Sequence, residues 1–418
     1  MTTMTDLETG VGATGGPGAT APPSGRMPVG VYALGASVFA LGTSEFVIAG
    51  LVTQMSRSLG VSVPQVGQLI TFFAIGMLIG APVMALLTLK MDKKVTLLVS
   101  AGVFALAHLL TPLAPNFESI VVLRVVAAVA CATELTVAAV MAVSIAGSER
   151  TARAIAVIIG GMTLANVIGV PVGSFIGEQF NWESAFLFIG VLSAVSAVLV
   201  AVVVHRIPSA HAPDSSLFSI AVTELRSLNQ TRVYAALATT VLFEAALFAV
   251  YSFVQPVLID VSHMSPGTVP LVLFAFGVGT FVGISIGGRL AERSPLKNII
   301  VSLMLLIVVM IVFRAVVHSA IPSAIAVTLM GVCGFSMTAA LNARVIGFAA
   351  AAPTLAVAVS LSAFNVGNAV GPAIGGAVYG RAALVEDVIW AGVALAFLAL
   401  IAAGLSVVIE KGGRLSNR

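Results

Sequence analysis

The sequence predicts an all-α polytopic membrane protein: twelve transmembrane helices in two six-helix bundles. Three observations carry that prediction. Hydrophobic residues fill 59% of the 418 positions and charged ones only 9%, whereas soluble domains carry roughly a quarter charged residues. Long apolar stretches recur twelve times, and a hydrocarbon core of about 30 Å needs about 20 helical residues to cross. The second half also repeats the first at an offset of 202 residues: Asn166, Gly169 and Gly173 return as Asn368, Gly371 and Gly375, and Cys131 as Cys333.

The same arithmetic removes other classes. With 20 basic and 17 acidic side chains there is no basic face for nucleic acid. Cys131 and Cys333 lie in apolar runs and give neither zinc spacing nor a disulfide framework. The chain carries no Walker sequence, metal-ligand cluster or nucleophile elbow, so the reading includes no cofactor, no metal and no enzymatic reaction.

In chain order, residues 1–27 are Gly, Thr, Ala and Pro without apolar periodicity and read as a disordered tail. They lack the basic start and apolar core of a cleavable signal peptide, so the first apolar run is expected to stay as a span. Spans are expected at 28–52, 65–89, 95–113, 119–145, 151–177, 184–205, 233–258, 268–291, 297–317, 322–343, 354–380 and 387–409. The longest polar break, 206–232, separates an N-terminal bundle at 28–205 from a C-terminal bundle at 233–409, and a tail follows at 410–418. Parallel six-span repeats can rock about a midplane cavity, as secondary transporters do.

Basic residues set the expected orientation. Of the 20 Lys and Arg, Arg57, Arg314 and Arg381 fall on one side, Arg124 lies inside a span, and the other sixteen share the side of the termini. Both termini are therefore expected in the cytoplasm and the chain in the cell inner membrane. Most of those cations also suit anionic-lipid anchoring.

Four ionisable residues lie well inside spans: Glu45 in the first, Arg124 and Glu134 in the fourth, and Glu244 in the seventh. Burying a charge there costs several kcal/mol or more, so each needs a partner or a wet cavity. In a two-bundle transporter the first, fourth, seventh and tenth spans line the cavity. Glu45 and Arg124 sit at about the same depth and could meet. A carboxylate beside a guanidinium stays ionised, whereas a lone desolvated one takes up a proton. Glu45 could thus carry a proton as the bundles rock, or the two could form a static ion pair. Glu134 is about 15 Å along the helix from Arg124 and is therefore a separate site near the midplane, and so is Glu244. Each could exchange a proton, hydrogen-bond substrate, or simply bond a neighbouring helix.

Glycines and prolines punctuate the fifth and eleventh spans in matched sets, Gly160, Gly161, Gly169, Pro171, Gly173 and Gly177 against Gly367, Gly371, Pro372, Gly375, Gly376 and Gly380. They suggest a tight, kinked seam between the bundles. After the eighth span, Gly288 would permit a close approach, and Glu292 flanked by Arg289 and Arg293 would form a cytoplasmic charge gate. The first-half counterpart has Leu89 at the acidic position, and Asp92 is out of register. His108 reads as a hydrogen-bonded packing residue. Cys131 and Cys333 read as cavity-wall residues, and Phe39, Phe243, Phe248, Phe253 and Phe335 as a hydrophobic wall for a drug-like ligand.

These residues resemble a family. From residue 28 onward the chain is similar to the twelve-helix drug:proton antiporters of the major facilitator superfamily. "LGTSEFVIAGL" (41–51) resembles the family's first-helix motif and "LRVVAA" (123–128) its fourth-helix Arg motif, with Ala127 and Ala128 where Gln and Gly are usual. "GMTLANVIGVPVG" (161–173), holding Asn166, Gly169, Pro171 and Gly173, resembles the antiporter motif, and "GGRLAER" the loop motif. Within the superfamily, "FAIGMLIGAPV" (73–83), "LVLFAFGVGTFVGISIGGRLAERSP" (271–295) and "FNVGNAVGP" (364–372) look most like the chloramphenicol exporters. Glu183, Glu134 and Glu244 depart from that pattern. The resemblance implies proton-coupled efflux of chloramphenicol-like amphipathic drugs by a monomer in the lipid bilayer. Sugar or nucleoside export, broader multidrug export including cations, and a channel or sensor are the alternatives.

Overall fold

The computed structural model describes residues 27–88, 91–205, 229–349, 353–381 and 384–415. The expected N-terminal tail before Met27, most of the 206–232 loop and the last residues of the C-terminal tail lie outside them. Among the described residues, twelve helices are long and apolar enough to cross a membrane: α1 Val29–Gly50, α2 Val63–Leu87, α3 Lys93–Leu113, α4 Phe117–Ala146, α5 Ser148–Gln179, α6 Trp182–Val203, α7 Thr231–Tyr251, α8 Pro266–Arg293, α9 Pro295–Val316, α10 Ala320–Phe348, α11 Leu355–Arg381 and α12 Val385–Val408. Strands are absent among the described residues. An even number of spans puts both ends of the chain on one face, called here the terminal face, opposite the distal face.

Local chemistry marks the helix starts. Asp92, Asn116 and Asn181 accept from the main-chain N–H groups of Val95, Ser119 and Ser184 at 3.0, 2.9 and 2.8 Å, capping α3, α4 and α6. Ser62 and Gln65 form a reciprocal capping box at the start of α2. Asp92 thus serves as the N-cap of α3, and the neighbouring Leu89 of the expected first-half gate lies outside the described residues. The first span is shorter than expected. After Gly50 the chain turns into a separate amphipathic helix, Val52–Leu59, which ends on Gly60 in the left-handed region (φ 66°). The tenth extends to Phe348, past the expected 343, and α5 contains a π-helical segment at Ala165–Gly169.

One core is drawn wholly from residues between Val31 and Val204. A second joins α7–α10 and α12 and recruits Phe46, Ala49 and Val170 from the first half. The glycine strips face two ways: Gly376 and Gly380 of α11 lie against Pro64 of α2, across the halves as a seam would, whereas the remaining close contacts of the set lie within a half. Gly161, Gly169, Gly173 and Gly177 of α5 abut Gly35, Thr43, Val47 and Leu51, so they close the α5–α1 contact inside the first half. Gly367, Gly371 and Gly375 of α11 do the same against Glu244, Ala245 and Ala249 of α7. The spacing of four residues on both partners shows why: small residues one turn apart form a flat strip against which one straight helix lies. Gly160 meets open space.

The halves meet through other residues. Gly277 of α8 packs on the main chain of Asn166 and Val167, within the π segment. Thr71 of α2 donates to the carbonyl of Ala369 in α11 at 2.9 Å. Phe46 and Phe248 bring their rings to 5.2 Å, and the main-chain N–H of Thr53 donates to Oε1 of Gln255 at 3.0 Å. Apart from the contacts near the midplane at Gly277 and Ala369, these lie in the distal half of the membrane, so the bundles are closed toward the distal face.

Candidate functional site

Arg124 is 1% exposed, and three groups hold it. Its Nη1 donates to Ser44 Oγ at 2.8 Å and its Nη2 to the Ser44 carbonyl at 3.1 Å. Its guanidinium carbon sits 4.3 Å from the ring centroid of Phe73. Ser44 Oγ in turn lies 2.6 Å from His108 Nε2, and His108 Nδ1 lies 2.8 Å from the carbonyl of Phe104. The directions follow from the donor inventory. The Phe104 carbonyl accepts, so Nδ1 carries the hydrogen. Ser44 then donates to Nε2 and accepts from Arg124, which leaves Arg124 Nε as the buried donor of this chain without a partner among the described residues. His108 is also wedged between the rings of Phe104 and Phe186.

Glu45 does not form the expected ion pair with Arg124 in this state. The two charges are within electrostatic reach, yet no ion pair joins them among the described residues. The reason is angular: consecutive residues point about 100° apart on a helix. The face of α1 that turns to α4 carries Ser44, and Glu45 stands beside it, half-buried. Glu45 is also within reach of Glu244 on α7, which is 6% exposed. It therefore stands within electrostatic reach of an ionisable group in each half.

Glu134 is 0% exposed and accepts from Ser37 Oγ on α1, while its Oε2 has no partner. It faces α1 within the first half. Cys131, one turn away, is a fully buried thiol within reach of Glu45, Glu134 and Arg124. Cys333 does not share that environment. It lines a groove between α8, α9 and α10 that faces outward, so it is not a wall of the central site.

Of the five phenylalanines expected to form a wall, Phe248 and Phe335 belong to a continuous aromatic string. Phe46, Phe248, Tyr251, Phe276 and Phe335 form a string with ring centroids 5.2, 5.7, 4.4 and 6.2 Å apart. It runs from α1 through α7 and α8 to α10. Phe243 is buried beside Gly334 rather than on the string. Phe253 faces Gly67 across the halves and stacks on Tyr379. Phe46, Tyr251 and Phe276 are not among the expected wall residues; the i, i+3 spacing of Phe248 and Tyr251 is the signal the sequence holds.

The stretch 161–173, which resembles an antiporter motif, contains the π segment Ala165–Gly169. Gly169 abuts Thr43, Pro171 opens the next helical stretch, and the Asn166 backbone meets Gly277. At the end of α8, Arg289, Glu292 and Arg293 are exposed and make no ion pair among the described residues. The close approach falls on Gly287, which abuts the Ser336 carbonyl, whereas Gly288 meets open space. No group of His, Cys, Asp and Glu that could hold a metal occurs among the described residues.

Two pseudo-symmetric halves closing on a buried cluster of charges define a membrane transporter rather than an enzyme. The chain belongs to the Major Facilitator Superfamily, whose family model matches residues 34–352. It is 34% identical over 379 residues to a chloramphenicol resistance protein of Streptomyces lividans, covering 90% of this chain and 96% of that one. It is 32% identical over 351 residues to the inner membrane transport protein YdhP of Escherichia coli, covering 83% and 88%. Among solved structures it resembles the nucleoside transporter NupG, with a TM-score of 0.71 at 14% identity and coverage of 92% and 98%. That likeness concerns the fold.

Proposed function

We propose that this protein is a proton-coupled exporter of chloramphenicol-like amphipathic drugs, working by alternating access in the cytoplasmic membrane. The observation that carries the reading is Glu45. It is a half-buried carboxyl without a hydrogen bond among the described residues, poised between Arg124 of one half and Glu244 of the other. A carboxyl in that place changes its proton affinity whenever the bundles rock and Arg124 comes nearer or recedes. The aromatic string beside it supplies an apolar, ring-lined surface for an amphipathic ligand. The relation to the Streptomyces chloramphenicol resistance protein supports the substrate class.

Both termini are assigned to the cytoplasm on the distribution of Lys and Arg. With that orientation the distal closure faces outward, and the described state receives substrate and releases protons on the cytoplasmic side. Glu134, bonded to Ser37, is a second protonatable site deeper in the first half.

The test uses everted membrane vesicles. Glu45→Gln is expected to abolish drug uptake driven by a proton gradient while drug binding to the purified variant persists. Full gradient-driven uptake in that variant would overturn the assignment. Susceptibility of cells to chloramphenicol, sugars and cationic dyes, with and without the protein, then reads the substrate class.

A further inference from the structure

The outward groove between α8, α9 and α10 has a volume of about 450 Å3 and begins at the terminal face, where Arg293 and Lys297 stand at its mouth. Both side chains are exposed, and neither makes an ion pair or hydrogen bond among the described residues. Glu292, the acid next to Arg293, does not line the groove. Below the mouth the walls are Ile286, Leu290, Val301, Leu305 and Val332. From Lys297 to Leu305 the groove descends about 12 Å along α9, close to the depth of one leaflet of a ~30 Å hydrocarbon core.

Its polar floor is already spent. Ser336 Oγ donates to Ser302 Oγ at 2.7 Å, Ser302 to Asn298 Oδ1 at 3.1 Å, and Asn298 Nδ2 to the carbonyls of Ser336 and Gly287 at 2.9 and 3.2 Å. This network stitches the three helices together and offers no free group to a polar ligand within the groove. A ligand that fits is hydrocarbon below and anionic above.

The repeat supplies an internal control. A groove between α2, α3 and α4 is lined by Met84, Met91, Thr96, Val99 and Ser100, each 202 positions before Ile286, Arg293, Asn298, Val301 and Ser302. The shape thus belongs to the architecture, but the charge does not. Met91 stands where the second half has Arg293, and Val95 where it has Lys297.

We propose that the α8/α9/α10 groove is a binding site for an anionic phospholipid of the terminal-face leaflet, with the headgroup phosphate between Arg293 and Lys297 and an acyl chain along Val301. Seated there, the lipid bridges the α8–α9 turn and rigidifies the end of α8. Neither the transport reading nor its substrate enters this assignment.

Native mass spectrometry of the full chain, released from vesicles of phosphatidylcholine with phosphatidylglycerol, tests it. Two cations near a membrane surface imply retention of phosphatidylglycerol over phosphatidylcholine by roughly 30-fold. Arg293→Ala with Lys297→Ala is expected to erase that preference. Val301→Trp, which fills the groove and leaves the charges, is expected to lose the lipid, and Val99→Trp in the first-half groove to keep it. Thermal unfolding of each variant, measured alongside, identifies any that fail to fold; Val301→Ser, which keeps the backbone and the charges but weakens the apolar wall, then takes the place of the Trp variant. Unchanged preference in the double variant overturns the site. So does competition by soluble glycerophosphate as effective as by the lipid, or retention of a drug in the groove in place of lipid.

Discussion

Thr53 and Gln255 are joined by a hydrogen bond from the Thr53 main-chain N–H to Gln255 Oε1, 3.0 Å long, and they stand 202 residues apart. They are therefore equivalent positions of the two repeats, and the pseudo-two-fold axis passes between them at the distal face. Gln255 is 1% exposed, and its amide oxygen caps the first turn of Val52–Leu59, a helix start that has no side-chain cap of its own. The bond exists only while the distal side is closed, so it biases the two-state equilibrium toward that closure.

Gln255→Leu removes the acceptor and leaves the Thr53 N–H buried without a partner. A hydrogen bond of this kind contributes about 1 kcal/mol, which shifts a conformational ratio by about fivefold. The variant is expected to populate the distal-open state more, by that order. Spin-label distances between the distal ends of α1 and α7 read the change, and an unaltered distance distribution would count against a gating role.

Arg124 is held bidentately by one residue, Ser44, through both hydroxyl and carbonyl. Lysine offers a point charge on a flexible stem and cannot reproduce that fork or the stacking on Phe73. Hydrogen bonds to charged groups contribute roughly 1.5–3 kcal/mol, so Arg124→Lys is expected to cut transport by about tenfold or more at equal membrane abundance. Ser44→Ala keeps the carbonyl bond and costs less, about fivefold. Initial uptake rates in vesicles normalised to protein check both, and equal rates for Arg124→Lys and the parent would refute the fork as a working element.

The spans and the repeat were legible because both are properties of the chain in one dimension: apolar runs of about 20 residues and a fixed offset. Which faces touch was not legible. Val99 and Phe104 are equally apolar, yet the first is 54% exposed and the second 0%. A helix flanked by lipid is apolar all round, so periodicity cannot mark its packed face. That is why the paired glycines of α5 and α11 suggest a seam between bundles when most of them face α1 and α7, and Gly376 and Gly380 alone of the set face Pro64 across the halves. It is also why Glu45 was paired with Arg124 when the adjacent Ser44 holds it. The buried charges themselves were readable, since their cost makes them conspicuous wherever they face.

The glycine strip separates close contact from open space within one helix. Gly169 abuts the Thr43 side chain, while Gly160 meets nothing nearby. A methyl at Gly169 overpacks the α5–α1 contact, at a cost of about 1–3 kcal/mol. At Gly160 the same methyl raises helix propensity by about 1 kcal/mol. Gly169→Ala is expected to melt lower than the parent in detergent and Gly160→Ala equal or higher. Reversal of that order would mean that α5 and α1 separate in solution.

Glu134 presents the sharper separation of stability from function. One carboxyl oxygen accepts from Ser37, and the other is buried without a partner. An orphaned buried polar atom costs about 1–3 kcal/mol, whereas replacing both members of such a pair by apolar groups is often neutral or stabilising. The double variant Ser37→Ala with Glu134→Met is therefore expected to melt no lower than the parent, and Ser37→Ala alone to melt lower. A group that costs stability persists where it serves function. Hence the stable double variant is expected to show altered proton dependence of uptake, and Glu134→Gln, which keeps a bond to Ser37 but cannot ionise, the same alteration. Uptake followed across external pH in vesicles distinguishes the outcomes. An unchanged profile in both variants would reduce Glu134 to a helix-packing residue and leave Glu45 and Glu244 to carry the coupling.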